Sequence, residues 1–141
     1  MSDRTFVDTN VLIYAYDVDA KSKHETAKDA LRELWSERTG VLSMQVLQEF
    51  YVNVTRKIAS PMPKESARLV VNSYAVWCME TTPAEISTAF RIEDESKIGF
   101  WDALIVASAA KCGAFRILSE DLNAQQVIAG IRIENLFAQL P

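Results

Sequence analysis

Short apolar runs spaced along the chain constrain its fold more than any other feature. Residues 4–7 (Arg-Thr-Phe-Val), 40–43 (Gly-Val-Leu-Ser), 115–118 (Phe-Arg-Ile-Leu) and 131–133 (Ile-Arg-Ile) each have the length and apolar character of a buried strand. A further short strand is expected near 79–81. The segments between these runs carry helical periodicity instead. Over 22–38, Ala27, Leu31, Leu34 and Trp35 recur on one face, and over 44–58, Leu47, Phe50, Tyr51, Val54 and Ile58 do the same. Ser60-Pro61-Met62-Pro63 breaks the chain before a helix over 64–78. Thr82-Pro83 opens another helix, which runs toward 97 and is ended by Gly99. Strands alternating with helices predict an α/β protein, a three-layer α/β/α sandwich with a mainly parallel central sheet. Right-handed crossovers would put helices on both faces of that sheet. The chain has 141 residues and neither repeat nor linker, so a single domain over 1–141 is expected, able to bury its core without disulfides or a structural metal.

Charge narrows the partners. Fifteen basic against nineteen acidic residues leave a formal charge of −4, which argues against a general polyanion-binding surface. It leaves room for a nucleic-acid enzyme that works with bound cations. Cys78, Cys112 and a lone His24 do not make up a zinc site. Both cysteines sit in apolar helical context and read as reduced core residues, and His24, on a charged helix, reads as a surface residue. The start of the chain has no basic region followed by an apolar run, and no stretch approaches ~18 apolar residues. The expected location is the cytoplasm, with no membrane contact.

Four carboxylates stand where chemistry could use them. Asp8 ends the first strand, just before a helix over 11–16 that Thr9 or Asn10 would cap. Asp121 follows the 115–118 strand. If those strands are parallel neighbours, both acids reach one crevice at the carboxyl edge of the sheet, where open α/β sheets bind ligands. Asp102 opens a helix over 101–112 that is apolar on nearly every face. It reads either as an acid favoured by the helix dipole or as a carboxylate reaching a cleft. Glu49 shares a helical stripe with Gln45, Asn53 and Arg56, which is a solvated face unless it lines that crevice. Clustered carboxylates oppose one another's ionisation, and a divalent cation removes the penalty. Oxygen-only donors suit Mg²⁺ or Mn²⁺, and the chemistry implied is metal-assisted hydrolysis of a phosphodiester, which needs no histidine base.

The segment Phe6-Val7-Asp8-Thr9-Asn10-Val11-Leu12-Ile13-Tyr14-Ala15 resembles the opening signature of PIN-domain nucleases, and most of all that of VapC-type toxins of bacterial toxin–antitoxin pairs. Gln48-Glu49-Phe50-Tyr51, Trp101-Asp102-Ala103-Leu104-Ile105 and Leu118-Ser119-Glu120-Asp121-Leu122 follow in the family's order, so the resemblance spans essentially the whole chain. It implies an endoribonuclease dependent on Mg²⁺ or Mn²⁺. It implies an acidic site of Asp8, Glu49, Asp102 and Asp121, in which Asp8 and Asp102 are the foremost metal ligands. Asn10 matches a polar position that orients Asp8 or a metal-bound water, and Ser119 could serve likewise. Asn123 stands where many PIN domains place a further acid, and Asn135-Leu136-Phe137 where relatives often have Asn-Pro-Phe. The resemblance further implies a cognate antitoxin whose C-terminal segment occludes the cleft, and a homodimer.

Two other readings compete. A non-catalytic PIN-like binding module would use the same acidic cleft to receive a basic partner segment. A phosphoryl-accepting receiver domain is also small, acidic and α/β, but it needs an acidic pair after the first strand and a lysine late in the sheet. Here Asp8 is followed by Thr9-Asn10, and no lysine ends the 115–118 strand. Arg56-Lys57, Lys111, Arg116 and Lys21-Ser22-Lys23 are candidates for phosphate contact, although solvated surface charge explains each of them as well. Trp35, Trp77 and Trp101 read as core or interface residues.

Overall fold

The computed structural model describes residues 3–123 and 126–140. Five strands run at Thr5–Val7 (β1), Gly40–Val41 (β2), Arg116–Leu118 (β3), Val127–Ile128 (β4) and Ile131–Glu134 (β5), and they form one sheet in the order β2-β1-β3-β5-β4. All neighbours are parallel except β4, an edge strand antiparallel to β5. Six α-helices connect them: Thr9–Tyr14 (α1), Ser22–Glu37 (α2), Met44–Arg56 (α3), Lys64–Tyr74 (α4), Pro83–Ser96 (α5) and Phe100–Lys111 (α6). The expected α/β sandwich with a mainly parallel sheet is the fold the chain adopts.

Burial explains the strand pattern. Phe6, Val7, Ile117, Leu118 and Ile133 are almost wholly removed from water, as strands covered on both faces require. Against β3 and β5 lies α6, whose Ala103, Val106, Ala107 and Ala109 are small enough to bring the helix close to the sheet. It is apolar all round because α5 covers its other side. The register pairs Thr5 with Arg116 and Val7 with Leu118, so Asp8 and Ser119 emerge side by side at the carboxyl edge. From β1 the chain goes to β2 on one side and, later, to β3 on the other. The reversal between β1 and β3 is a topological switch point, where a crevice opens beyond the strand ends.

Several local expectations need correction. The hairpin β4–β5 escapes notice in the sequence because β4 is two residues long and its turn is Ala129-Gly130, both at positive φ (51° and 79°), rather than Asn-Gly. Helix α4 stops at Tyr74, and 75–77 tighten into a 3₁₀ turn that buries Trp77. The strand expected near 79–81 is a single parallel bridge between Leu42 and Cys78. Helix α5 is ended by Lys97 in the left-handed region (φ 54°), whereas Gly99, at φ −66°, starts α6. His24 is half-buried rather than superficial, with Nδ1 2.9 Å from the Tyr14 carbonyl oxygen. Both cysteines are free; Cys112 is buried and Cys78 half-buried. Among the described residues, no helix is long and apolar enough to cross a membrane.

Candidate active site

Asp8 is the residue around which the crevice is built. The strand-to-helix step places it as the N-cap of α1, where its Oδ1 accepts the Thr9 backbone N–H at 2.7 Å. The cap expected at Thr9 or Asn10 is therefore Asp8 itself, which frees both neighbours for other contacts. Ser119 Oγ donates to Asp8 Oδ2 at 2.7 Å and accepts the backbone N–H groups of Asp121 and Leu122 at 3.1 and 3.3 Å. Asp8 is only 5% exposed. Burial raises its pKa to about 6; the Ser119 and Thr9 hydrogen bonds pull it down, and the charges of Asp121 and Asp102 push it up.

Asn10 joins the two strand ends. Its Nδ2 donates to Asp8 Oδ2 at 3.3 Å and to Asp121 Oδ2 at 3.1 Å, while its Oδ1 accepts the Glu120 N–H at 3.0 Å. One amide thus bridges the two carboxylates and fixes the loop between them. Glu49 enters from α3, and its Oε1 accepts Thr9 Oγ1–H at 2.9 Å. Asp102 opens α6 half-buried. Burial raises its pKa, and so does the charge of Asp121, which puts it in the same electrostatic field. The structure therefore links Asp8, Asn10 and Asp121 directly, Glu49 through Thr9, and Asp102 through charge alone. The rest of the Glu49 stripe does not act as a unit, since Asn53 Nδ2 turns back to the Glu49 carbonyl at 2.7 Å.

Among the described residues, no three His, Cys, Asp or Glu side chains stand close enough to hold an ion between them. The donor set nevertheless fits a hard cation of the Mg²⁺ type, which keeps several waters and takes one or two carboxylates. Asp8 and Asp121 share one bridging amide, and Asp8 is a carboxylate whose charged form burial penalises until a cation offsets it. A model of the PIN domain matches residues 5–129, from β1 to the β4–β5 turn.

The chain belongs to the PIN domain family. No curated relative matches the sequence. Solved structures share the fold at low identity. One is DNA-bound VapBC from Salmonella typhimurium, 22% identical, covering 96% of this chain and 99% of that one with a TM-score of 0.63. Another is a toxin–antitoxin complex from Klebsiella pneumoniae, 18% identical, covering 94% and 97% with a TM-score of 0.67. A third is VapC20 from Mycobacterium tuberculosis, described as a sarcin-ricin loop cleaving toxin, 19% identical, covering 83% and 89% with a TM-score of 0.61.

Around the crevice of this PIN domain, the basic candidates separate. Arg116 is committed elsewhere: its Nε donates to Thr5 Oγ1 at 2.8 Å and its Nη1 to Glu134 Oε2 at 2.7 Å. Lys23 is paired with Glu120. Arg56, Lys57 and Lys111 remain exposed, but Lys111 lies at the opposite end of α6 from Asp102, away from the crevice. Trp77 is core and Trp35 stacks on it at 4.6 Å, whereas Trp101, next to Asp102, is 65% exposed. The sequence reading overlooked the contacts of Tyr14, Lys23 and Glu120. Glu120 offers no signal in the sequence, because its partner Lys23 lies 97 residues away.

Proposed function

We propose that this PIN domain is a metal-dependent endoribonuclease, the toxin of a toxin–antitoxin pair, with Asp8, Glu49, Asp102 and Asp121 as its acidic site and Asn10 as the residue that orients it. The observation that carries this reading is the Asn10 amide spanning Asp8 and Asp121 at the switch point, with a buried Asp8 whose charge needs a counter-ion. Asp8 and Asp121 are the residues to hold Mg²⁺ or Mn²⁺, with Asp102 and Glu49 contributing negative field or water-mediated contact. When bound, such an ion supplies Lewis acidity toward a phosphodiester and lowers the pKa of water.

The chain's own groups do the rest. Ser119 and the Thr9 N–H hold both Asp8 oxygens in place, so the carboxylate presents a fixed edge rather than a rotor. Asn10 keeps Asp121 from swinging away from Asp8 under like-charge repulsion. Glu49 is positioned by Thr9, which caps no helix and is free to serve it. Exposed Arg56 and Lys57, at the end of the α3 helix that carries Glu49, offer phosphate contacts that orient RNA. The similar structure from Klebsiella pneumoniae is a toxin–antitoxin complex, which supports a protein partner for this chain as well. An arginine of that partner, inserted among the acids, would oppose cation binding. The exposed apolar side chains Met44, Val52, Leu69 and Val76 suit such a partner or a second copy of the chain.

The test is cleavage of a broad RNA panel by metal-stripped protein, with Mg²⁺ or Mn²⁺ restored and with chelator in excess. Asp8→Asn and Asp102→Asn should each lose on the order of a hundredfold or more in rate while the fold is retained. Cleavage that survives excess chelator sinks the metal mechanism. No cleavage, together with no cation binding dependent on Asp8 and Asp121, would favour the non-catalytic module instead.

A further inference from the structure

Glu120 lies between two residues that face the crevice, Ser119 and Asp121, yet its own carboxylate is held by groups that belong to neither the sheet edge nor the acidic cluster. Tyr14 Oη donates to Glu120 Oε1 at 2.6 Å, and Lys23 Nζ donates to Oε2 at 2.5 Å. The same ammonium sits 5.1 Å from the Tyr14 ring centroid and 5.8 Å from that of Phe137. The two rings meet edge to face at 5.1 Å, and Phe137 is buried. The end of α1, the start of α2 and the C-terminal segment thus converge on one carboxylate. Its backbone N–H is meanwhile tied to Asn10, the residue that spans Asp8 and Asp121.

The mechanical consequence follows from charge. The Asp121 carboxylate interacts by charge with Asp8 and Asp102, and like-charge repulsion works to push the 119–122 loop outward where no cation offsets it. A charge-assisted contact on the far side of that loop opposes the drift. We propose that Lys23 and Tyr14, acting through Glu120, form a positioning clamp that sets Asp121 against the crevice and thereby raises the affinity of the crevice for a divalent cation. The loop-setting part rests on geometry alone; the cation part rests on the nuclease reading above.

Lys23→Met and Glu120→Gln, neither in the proposed metal site, test the clamp in the full-length protein. In metal-free protein, amide exchange at Glu120, Asp121 and Leu122 should accelerate about fivefold, while Phe6 and Ile117 in the sheet stay protected, a control for folding. In a titration with Mn²⁺ alone, the dissociation constant should rise by about the same factor. The charge swap, Lys23→Glu combined with Glu120→Lys, should recover both quantities. Faster exchange with unchanged Mn²⁺ affinity overturns the proposal and leaves the contact a structural tie. Unchanged exchange in both variants overturns it as well. If the wild-type protein binds no Mn²⁺ at Asp8, the nuclease reading fails and the cation role of the clamp falls with it.

Discussion

Asp8 makes the metal-free protein more stable in mild acid than at neutral pH, a reversal of the usual behaviour of carboxylates. Its pKa in the folded chain is about 6, against an ordinary value of 3.8. Between those values the native state binds a proton that the unfolded chain releases. The contribution is therefore fully present below the unfolded value and lost as pH rises through 6. Its ceiling is about 3 kcal/mol, and about 1.4 kcal/mol of it appears between about pH 7.5 and pH 5. In urea that is a rise in midpoint of about 0.7 M for a typical slope. Asp102, raised by burial and by Asp121, adds in the same direction. Burial pushes Glu120 up, but its bonds to Lys23 and Tyr14 bring it below its ordinary 4.5, so its stabilisation is lost only under that value. The assay is urea unfolding across this pH range in chelator, on wild type and Asp8→Asn. The difference between the two curves cancels every titrating group that is not coupled to Asp8, leaving Asp8 and its interaction with Asp102 and Asp121. Wild type should gain on the variant as pH falls, and saturating Mg²⁺ should abolish the gain by keeping the carboxylate ionised. A difference curve that is flat, or that falls toward pH 5, refutes the claim that Asp8 is a buried carboxylate in need of a counter-ion.

Other perturbations have equally definite outcomes. Ser119→Ala removes one donor to Asp8 and the acceptor of two backbone N–H groups, so it should cost about 1–3 kcal/mol in urea unfolding and shift the acid-side gain to higher pH. Asn10→Ala should lower RNA cleavage at least about tenfold, whereas Asn10→Asp, which adds a carboxylate, should lower the Mg²⁺ concentration needed for half-maximal rate. Gly40→Ala places a methyl 2.6 Å from the Trp77 ring, so thermal unfolding should show a loss of about 1–3 kcal/mol with the cleavage chemistry unaltered.

The fold was legible wherever a segment's periodicity and its burial agree. Ile117 and Leu118 in the 115–118 run and the apolar middle of the 101–112 helix are buried, and both are visible as such in the sequence. Legibility ended where local chemistry is disguised. Ala129 takes a left-handed conformation usually given to Asn or Gly, and Lys97, not Gly99, ends α5. Of the candidate site, Asp8 and Asp121 stand out in the sequence because their strand-end positions are local facts, whereas Glu49 within α3 and Asp102 at the start of α6 carry no such mark. The roles of Asn10 and Ser119 depend on partners 111 residues away in each case, Asp121 for the one and Asp8 for the other. No local pattern encodes such a pairing, and the sequence alone leaves Asn10 a candidate helix cap, a role that Asp8 takes in the structure.

That substitution has a consequence for how the site tolerates its own charge. Capping draws Asp8 into the end of the sheet, because the residue that closes β1 must also open α1. Burial then penalises its ionisation, and each hydrogen bond around it returns part of that loss. Were the carboxylate only a cap, Ser or Asn would satisfy the Thr9 N–H without a buried charge. A neutral cap would also spare Asn10 and Ser119 their present contacts with an anion. The crevice instead gathers donors that serve an ionised Asp8, and Asp121 and Asp102 add negative charge to a place where it is already costly. Such an arrangement lowers the stability of the metal-free chain at neutral pH, and on the proposed nuclease reading a bound divalent cation would reverse the sign of that cost. The same group of residues should therefore govern both acid stability and metal response, so a substitution that removes one without the other would show that the two have separate origins.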